Sequence, residues 1–252
     1  MRRMRLLPVS SFVAGLLLLG CGPAKPTVDA GPDTTCGLDC VAQENYGLIV
    51  NRCFEYSADR RTKQPTPSLG VWVREVFELE GGVKTIPVEY RQGGQTMQTD
   101  YFSIKNGDLM LMRRSVNRSV TYRTDTAITG VKWLSQGTAA GENFSTKTTA
   151  FLSIDDSSTA TTYKVDTLVP GADEILTPLA TYDLGIKVIF SETPTDHGSD
   201  PRRVFMPGLG FTLIATPFNL LGNSNTVPHY LQRVRDIGTA DAGPEACSLG
   251  NP

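Results

Sequence analysis

Apolar and polar residues alternate with a period of two through most of the chain beyond residue 70. Such alternation is typical of strands with one buried side, and aromatic and β-branched residues favour strands. Gly81-Gly82 and Gly93-Gly94 separate neighbouring segments as turns do. The pattern predicts an all-β, mainly antiparallel domain. Its segments are "VWVREVFEL" (71–79), "KTIPVEYR" (84–91), "SVTYRTDT" (119–126), "TKTTAFLSI" (146–154), "TATTYKVDTLV" (159–169), "YDLGIKVIFSE" (182–192) and "HYLQRVRDI" (229–237).

Turn residues predict two hairpins within this pattern. Asn106-Gly107-Asp108 joins the arms 101–105 and 109–113, and Asn-Gly between alternating segments is a strong hairpin signal. Pro207-Gly208-Leu209-Gly210 interrupts the segment 202–216, which predicts a hairpin corner with positive φ. Little helix is expected, because only residues 40–46 suggest one or two helical turns.

The N-terminal segment has the pattern of an export signal. Three arginines among the first five residues precede a mostly apolar run, 6–19, that is too short to span a bilayer comfortably. The run ends in Leu18-Leu19-Gly20-Cys21, which resembles the lipobox of bacterial lipoproteins. That resemblance implies a signal peptide over 1–20, cleavage before Cys21, and lipid attachment there as diacylglycerol with an acyl chain such as palmitate. An uncleaved anchor and a chance cysteine after a signal are the alternatives.

The resemblance also implies a location. Gly22 follows the cysteine, whereas aspartate at that place favours retention on the inner membrane in such lipoproteins. We therefore expect a lipid-anchored protein of the outer membrane, on either its periplasmic or its cell-surface side. No later apolar run approaches the roughly 18 residues of a membrane-spanning helix.

A flexible tether is predicted to follow the lipid. Residues 21–35 are rich in proline, glycine and aspartate and contain no large apolar residue except Val28, so they cannot bury a core. Such a segment spans roughly 20 Å as a coil or about 43 Å as polyproline II. The predicted organisation is this tether, a single β domain over 36–247 and a short tail over 248–252.

Charge excludes one class of partner. The chain has 24 basic and 26 acidic residues, and removal of the signal arginines makes the remainder more acidic. A mildly acidic domain is not expected to bind nucleic acid or to need a second, electrostatic membrane site.

Four cysteines remain once Cys21 is lipidated, namely Cys36, Cys40, Cys53 and Cys247. Export to an oxidising compartment favours two disulfides over a zinc site, because Cys247 has no neighbouring ligand in sequence. Three connectivities are open. Similar segments, "DAGPDTTC" and "DAGPEAC", end at Cys36 and Cys247, which favours a bond between those two and a local bond between the others.

Candidate chemistry is sparse. His197 lies in a loop with Asp196 and Asp200, which is a weak metal pattern beside the more common solvated histidine. His229 is expected to pack or cap, and Asp155-Asp156 to form a hairpin tip. No zinc-protease, hydrolase-elbow, Ser-Lys, P-loop or dinucleotide motif is present. We therefore predict a protein that is not an enzyme and has no catalytic residue, metal or cofactor.

A basic group on the predicted strands allows two interpretations. Arg113-Arg114, Arg118 and Arg123 can meet an acidic partner, but a solvated strand edge blunted by charge is the preferred interpretation.

The order of strands resembles a known group of envelope proteins. The hairpin "DYFSIKNGDLMLMRRSV", a long meander and then "RRVFMPGLGFTLIA" are similar in style to lipoprotein carriers over about residues 70–237. The resemblance implies a curved antiparallel sheet, half-barrel or barrel-like, and hence binding of an apolar ligand or lipid.

Two functions follow. The first is a non-enzymatic interaction component of an envelope assembly, of the gliding-motility kind, with envelope proteins as partners. The alternative is a periplasm- or surface-facing module for an apolar ligand. An open apolar concave face would favour the ligand module, whereas a filled core with an exposed apolar patch would favour docking.

Overall fold

The computed structural model describes the larger part of the chain after residue 37. The described residues are 38, 42, 45–64, 67–116, 118–124, 127–152, 157–182, 185–193, 202–215, 227–237 and 247. The chain divides into two units, residues 1–35 and residues 36–252. The signal peptide, Cys21, the tether, Cys36, Cys40, Asp155-Asp156, the loop with Asp196, His197 and Asp200, and the tail 248–252 lie outside the described residues. Their predictions stay predictions.

Strands dominate the described residues. They are β1 (Arg52–Ser57), β2 (Leu69–Val73), β3 (Phe77–Leu79), β4 (Val83–Gln92), β5 (Gln95–Lys105), β6 (Asp108–Val116), β7 (Arg118–Thr124), β8 (Ala127–Ile128), β9 (Val131–Leu134), β10 (Asn143–Leu152), β11 (Ser158–Leu168), β12 (Ile186–Thr193), β13 (Arg202–Met206), β14 (Gly210–Ala215) and β15 (Pro228–Asp236). A short helix spans Ala172–Ile175. Leu38, Ala42, Asn45 and Tyr46 are also helical, in agreement with the predicted turns at 40–46.

The sheet closes on itself. Its strands run in the order β7-β10-β11-β12-β13-β14-β15-β1-β2-β4-β5-β6, and pairing of β6 with β7 completes a closed 12-stranded barrel. The small strands β3, β8 and β9 are not members of this ring. They pair with β4, β7 and β6, respectively. All of these pairings are antiparallel, which confirms the predicted fold class. The sheet is barrel-like and not a half-barrel.

Both predicted hairpins are present. Asn106 and Gly107 have φ values of 55° and 82°, and Lys105 pairs with Asp108 across the turn. A two-residue turn with positive φ at both central positions matches the twist of the flanking strands. The second turn joins β13 and β14, and the amide of Leu209 donates to the carbonyl of Met206 at 3.1 Å.

The strand predictions require correction in two respects. The segment 71–79 is not one strand, because β2 ends at Val73 and β3 begins at Phe77. Strands β1, β8 and β9 were not predicted, although Phe54 and Tyr56 face the core in β1. β8 has two residues, and β9 is buried at three of its four positions, so period two has little room to show in either.

Aromatic side chains fill the barrel interior. The Trp133 ring stacks on Phe190 with 4.1 Å between ring centroids and contacts Phe102 at 4.8 Å and Phe211 at 5.8 Å. These rings come from β9, β12, β5 and β14, so they join opposite walls. The Trp133 indole N–H donates to the Tyr163 hydroxyl at 2.9 Å, which satisfies the one polar atom of the ring.

A buried ion network crosses the same interior. Asp100 is fully buried and accepts hydrogen bonds from Arg114 at 2.7 and 3.2 Å, from Arg203 at 3.3 Å and from Gln98 at 2.8 Å. Burial alone would raise the pKa of Asp100, but the charges of Arg114 and Arg203 outweigh it and the pKa is lowered. Arg203 is 1% exposed and also donates to the Tyr90 hydroxyl.

The preferred interpretation of the basic group is therefore wrong. β6 and β7 each have neighbours on both sides within the closed ring, so neither is a solvated edge. Arg114 points inward to Asp100, Arg113 pairs with Glu80, and the Arg123 guanidinium lies 3.7 Å from the centre of the Phe151 ring.

The residues before β1 pack against one end of the barrel. Ala42 and Tyr46 are buried, and the Tyr46 hydroxyl donates to the carbonyl of Gly107 at 2.6 Å. Gly47 has φ 66° and lies against Leu209, whose carbonyl carbon would be 2.3 Å from an added Cβ. Only glycine fits this approach.

A groove on the outer face beside Trp72

A recess lies on the outside of the barrel. It has a volume of about 440 Å³ and lies over β2, β4 and β5. Trp72 and Tyr101 point outward there, because their strand neighbours Val71, Val73 and Phe102 belong to the core. The lining side chains are aromatic or apolar on one part and polar on the other: Trp72, Val76, Phe77, Pro87 and Tyr101, with Asn51, Arg74, Glu75, Glu89 and Thr99.

A bulge opposite a proline forms the wall of this groove. Val73 pairs with Val88 and Phe77 pairs with Thr85, so three residues, Arg74 to Val76, face two on β4. The extra residue makes the chain bend away from its partner strand. Pro87 lies at this place and has no amide to continue the ladder. The bend separates β3 from β2 and raises the segment 74–77 above the sheet.

Trp72 lies in the floor of the groove within a row of outward residues. Cys53, Trp72, Glu89 and Thr99 pair successively across β1, β2, β4 and β5. The Arg74 guanidinium lies 3.9 Å from the centre of the Trp72 ring, a cation–π contact. Trp72 is only 1% exposed, and its indole Nε1 has no hydrogen-bond partner among the described residues.

A disulfide borders the Trp72 side of the groove. Cys53 bonds to Cys247 with 5.7 Å between their Cα atoms, and both pack with Trp72 and Ile237. The favoured pairing of Cys247 with Cys36 is therefore wrong, and so is the local pairing of Cys53 with Cys40. The physical reason is strand order: β15 lies beside β1, with Asp236 opposite Arg52, so the chain that follows β15 begins next to Cys53. Similar tail sequences carried no information on this adjacency.

Exposed apolar side chains line the opposite rim. Phe77 is 49% exposed and Val76 is 38% exposed, although both are apolar. The Phe77 ring contacts Tyr101 with 5.8 Å between centroids at an angle of 55°. Burial raises the pKa of Tyr101, so its phenol is protonated at neutral pH and keeps a hydrogen to donate.

The polar part of the groove carries both signs of charge. Arg74 pairs with Glu89 at 3.4 Å. Glu75 is exposed, and no ion pair within the described residues includes its carboxylate. The wall segment therefore presents unpaired negative charge beside exposed rings.

His229 lies elsewhere and packs, as expected from the sequence. It is 4% exposed, and its Nδ1 is 2.8 Å from the Ser68 hydroxyl oxygen. Burial lowers the pKa of His229 to about 4, so the ring is neutral at physiological pH. Within the described residues there is no group of three or more side chains that could hold a metal ion.

The sequence predictions did not identify the groove. Trp72 and Phe77 fell within one predicted strand, and Tyr101 fell within a hairpin arm. A proline inside the predicted strand 84–91 was the available signal, since proline in a sheet marks an edge or a bulge.

Comparison with known proteins adds no relative. No protein-family model matches the chain, and neither does any curated protein or solved structure. Among the described residues, no helix has both the length and the apolar character needed to cross a membrane.

Proposed function

We propose that the chain is a lipoprotein anchored to the outer membrane through Cys21, which binds other envelope proteins and catalyses no reaction. The observation that carries this proposal is the groove with its exposed Phe77 and Val76, since exposed apolar side chains rimmed by charge are typical of protein-binding surfaces. Such a surface fits an interaction component of an envelope assembly.

The filled interior supports docking over ligand carriage. Trp133, Phe190, Phe211 and Arg203 occupy the space between the walls, where a carrier would hold an apolar ligand. The buried charges of Arg203 and Asp100 also disfavour binding of a hydrocarbon chain in that interior. An apolar ligand remains the second candidate function, and lipid found in the purified protein would favour it.

Anchoring to a membrane would lower the affinity that the groove has to supply. A lipid on Cys21 and a tether over 21–35 would keep the barrel within a few tens of ångströms of the membrane. Confinement of this kind raises the effective concentration of each partner, so weak contacts give substantial occupancy.

Site-specific photocrosslinking in intact envelopes tests the proposal. A benzoylphenylalanine at Phe77 should give discrete protein adducts, because the 49% exposed ring lies at the groove rim. The matched control is Leu168, which is 45% exposed on β11, outside the groove. Identical adducts from both positions, or adducts with lipid alone, would contradict docking through this groove.

The anchor is tested separately. Cys21→Ser should release the protein from membrane fractions or leave it unprocessed, as read from its mass and its flotation. Mature-sized protein that still floats with membranes would refute the lipid assignment.

A further inference from the structure

We propose that the groove binds a proline-containing, extended protein segment that carries a lysine or arginine. This inference rests on the proposed function and names the chemistry of the partner.

The first support is the pairing of the groove floor. β2, β4 and β5 each have a strand partner on both sides, so their backbone groups are already used in the sheet. A partner cannot add a strand at this place, and recognition has to go through side chains. Polyproline II segments suit this situation because they need no ladder partner and dock into grooves lined by aromatic rings.

The second support is the shape and composition of the apolar part. The Phe77 and Tyr101 rings contact each other at 5.8 Å between centroids with 55° between their planes, and Trp72 and Pro87 form the floor beside them. Together they form an apolar surface against which the compact face of a pyrrolidine ring can pack. A volume of about 440 Å³ holds only a few residues, which fits a short motif.

The third support is the unpartnered indole of Trp72. Its Nε1–H has no acceptor among the described residues although the side chain is almost completely buried in the groove floor. Buried donors without partners are rare in folded proteins. Polyproline II leaves its carbonyls free, so one of them can accept this hydrogen. Arg74 covers the ring at 3.9 Å and would have to move aside.

The fourth support is charge complementarity. Glu75 is exposed on the wall, and the only described cation of the lining, Arg74, is engaged with Glu89. An unpaired carboxylate beside the aromatic rings complements a positive side chain in the partner. A neutral glycan could also stack on the rings, but it has no charge to meet this carboxylate.

The test uses the full lipidated chain in detergent micelles, labelled with ¹⁵N at its two tryptophans. Trp72→Phe assigns the two indole signals. The probe is the synthetic peptide acetyl-PPKPPRPP-amide. The comparison probes are the same peptide with alanine for every proline, the same peptide with glutamate for both basic residues, and chitotetraose as a glycan.

The expected result is saturable binding of the first peptide that shifts the Trp72 indole signal and leaves the Trp133 signal in place. Glu75→Lys should weaken binding by about fivefold, the scale of one surface ion pair. Glu142→Lys changes a comparable exposed carboxylate outside the groove and should leave binding unchanged.

Any of four results would overturn the inference. Equal binding of the alanine peptide removes the role of proline, and equal binding of the glutamate peptide removes the role of charge. A Trp72 shift with chitotetraose alone assigns the groove to glycan. If no peptide binds while Phe77 crosslinks persist in envelopes, this inference fails and the proposed function stands; loss of both refutes the proposed function as well.

Discussion

The backbone amide of Arg74 donates a hydrogen bond to the carbonyl of Pro87 at 2.8 Å, and Pro87 has no amide with which to return one. In an antiparallel ladder, two residues in this relationship normally exchange both bonds. The missing bond coincides with the bulge at 74–76, which is the wall of the groove.

Substitution of Pro87 by valine should add a backbone hydrogen bond to this wall. Pro87→Val supplies an amide that can pair with Arg74, so hydrogen exchange over residues 70–80 should slow by about tenfold. Hydrogen-exchange mass spectrometry measures this protection directly. Pro228→Val on β15 is the matched control and should leave exchange over 70–80 unaffected. Unchanged exchange in Pro87→Val would show that the extra residue alone maintains the bulge.

The buried ion network should respond unequally to the loss of its members. Asp100→Asn leaves Arg114 and Arg203 without a counter-charge inside the barrel, which should cost about 3–5 kcal/mol of unfolding free energy. Arg203→Met leaves the bidentate pair of Asp100 with Arg114 intact, so it should cost less than about 2 kcal/mol. Urea unfolding followed by tryptophan fluorescence gives both values. Equal losses would mean that packing of the Arg203 side chain, and not charge balance, dominates.

Stability should fall as the pH decreases through the His229 titration. The pKa of His229 is lowered from 6.5 to about 4 in the folded protein. Between these two pH values the unfolded chain binds a proton at this residue and the folded chain does not. Stability from this group is complete above pH 6.5 and is lost towards pH 4. Between pH 7 and pH 5 the loss should be about 2 kcal/mol.

His229→Gln is the control for that dependence. The variant should be less stable at pH 7 but should show a flatter profile from pH 7 to pH 5 in urea unfolding. Asp100 does not affect the comparison between pH 7 and pH 5. Its pKa is lowered from the usual value of 3.8, so the stability that it contributes is lost only at lower pH. An equally steep profile in the variant would assign the pH effect to other groups.

The disulfide should be visible both as a peptide and as stability. Non-reducing peptide mapping should recover Cys53 linked to Cys247, which leaves Cys36 and Cys40 as candidates for a second bond. Closure over a sequence separation of 194 residues corresponds to about 5 kcal/mol in the chain-entropy account. Cys53→Ser and Cys247→Ser should therefore lose similar stability, and the double variant should lose no more. Additive losses would indicate that the two thiols act independently.

Local signals carried the predictions that the structure confirms. The turn at Asn106-Gly107 was identified because its φ requirements are set by two adjacent residues. The antiparallel class followed from alternation, which strands such as β5 and β11 show by themselves. Closure of the ring was not predictable in this way, because it depends on pairing of β7 with β10 and of β1 with β15, where Arg52 and Asp236 are 184 residues apart.

Non-local pairings explain what the sequence could not show. Asp100 and Arg203 are 103 residues apart, and the sequence indicates neither that they meet nor that both face inward. Arg113 and Arg114 are adjacent and identical in type. Only the register with β5, in which Arg114 pairs with Asp100 and Arg113 with Tyr101, shows that Arg114 points inward and Arg113 outward. The groove depends on the register of Pro87 with Arg74, so the proline alone did not reveal it.

The start of β1 has a mechanical consequence. The amide of Asn51 donates to the carbonyl of Val73 at 2.9 Å, and Asn51 itself lines the groove. If the proposed lipid anchor and a partner bound at Trp72 pull on the chain in opposite directions, the force crosses a single strand boundary, β1 to β2. That boundary lies beside the covalent bond of Cys53 with Cys247. The remaining strands would carry little of such a force.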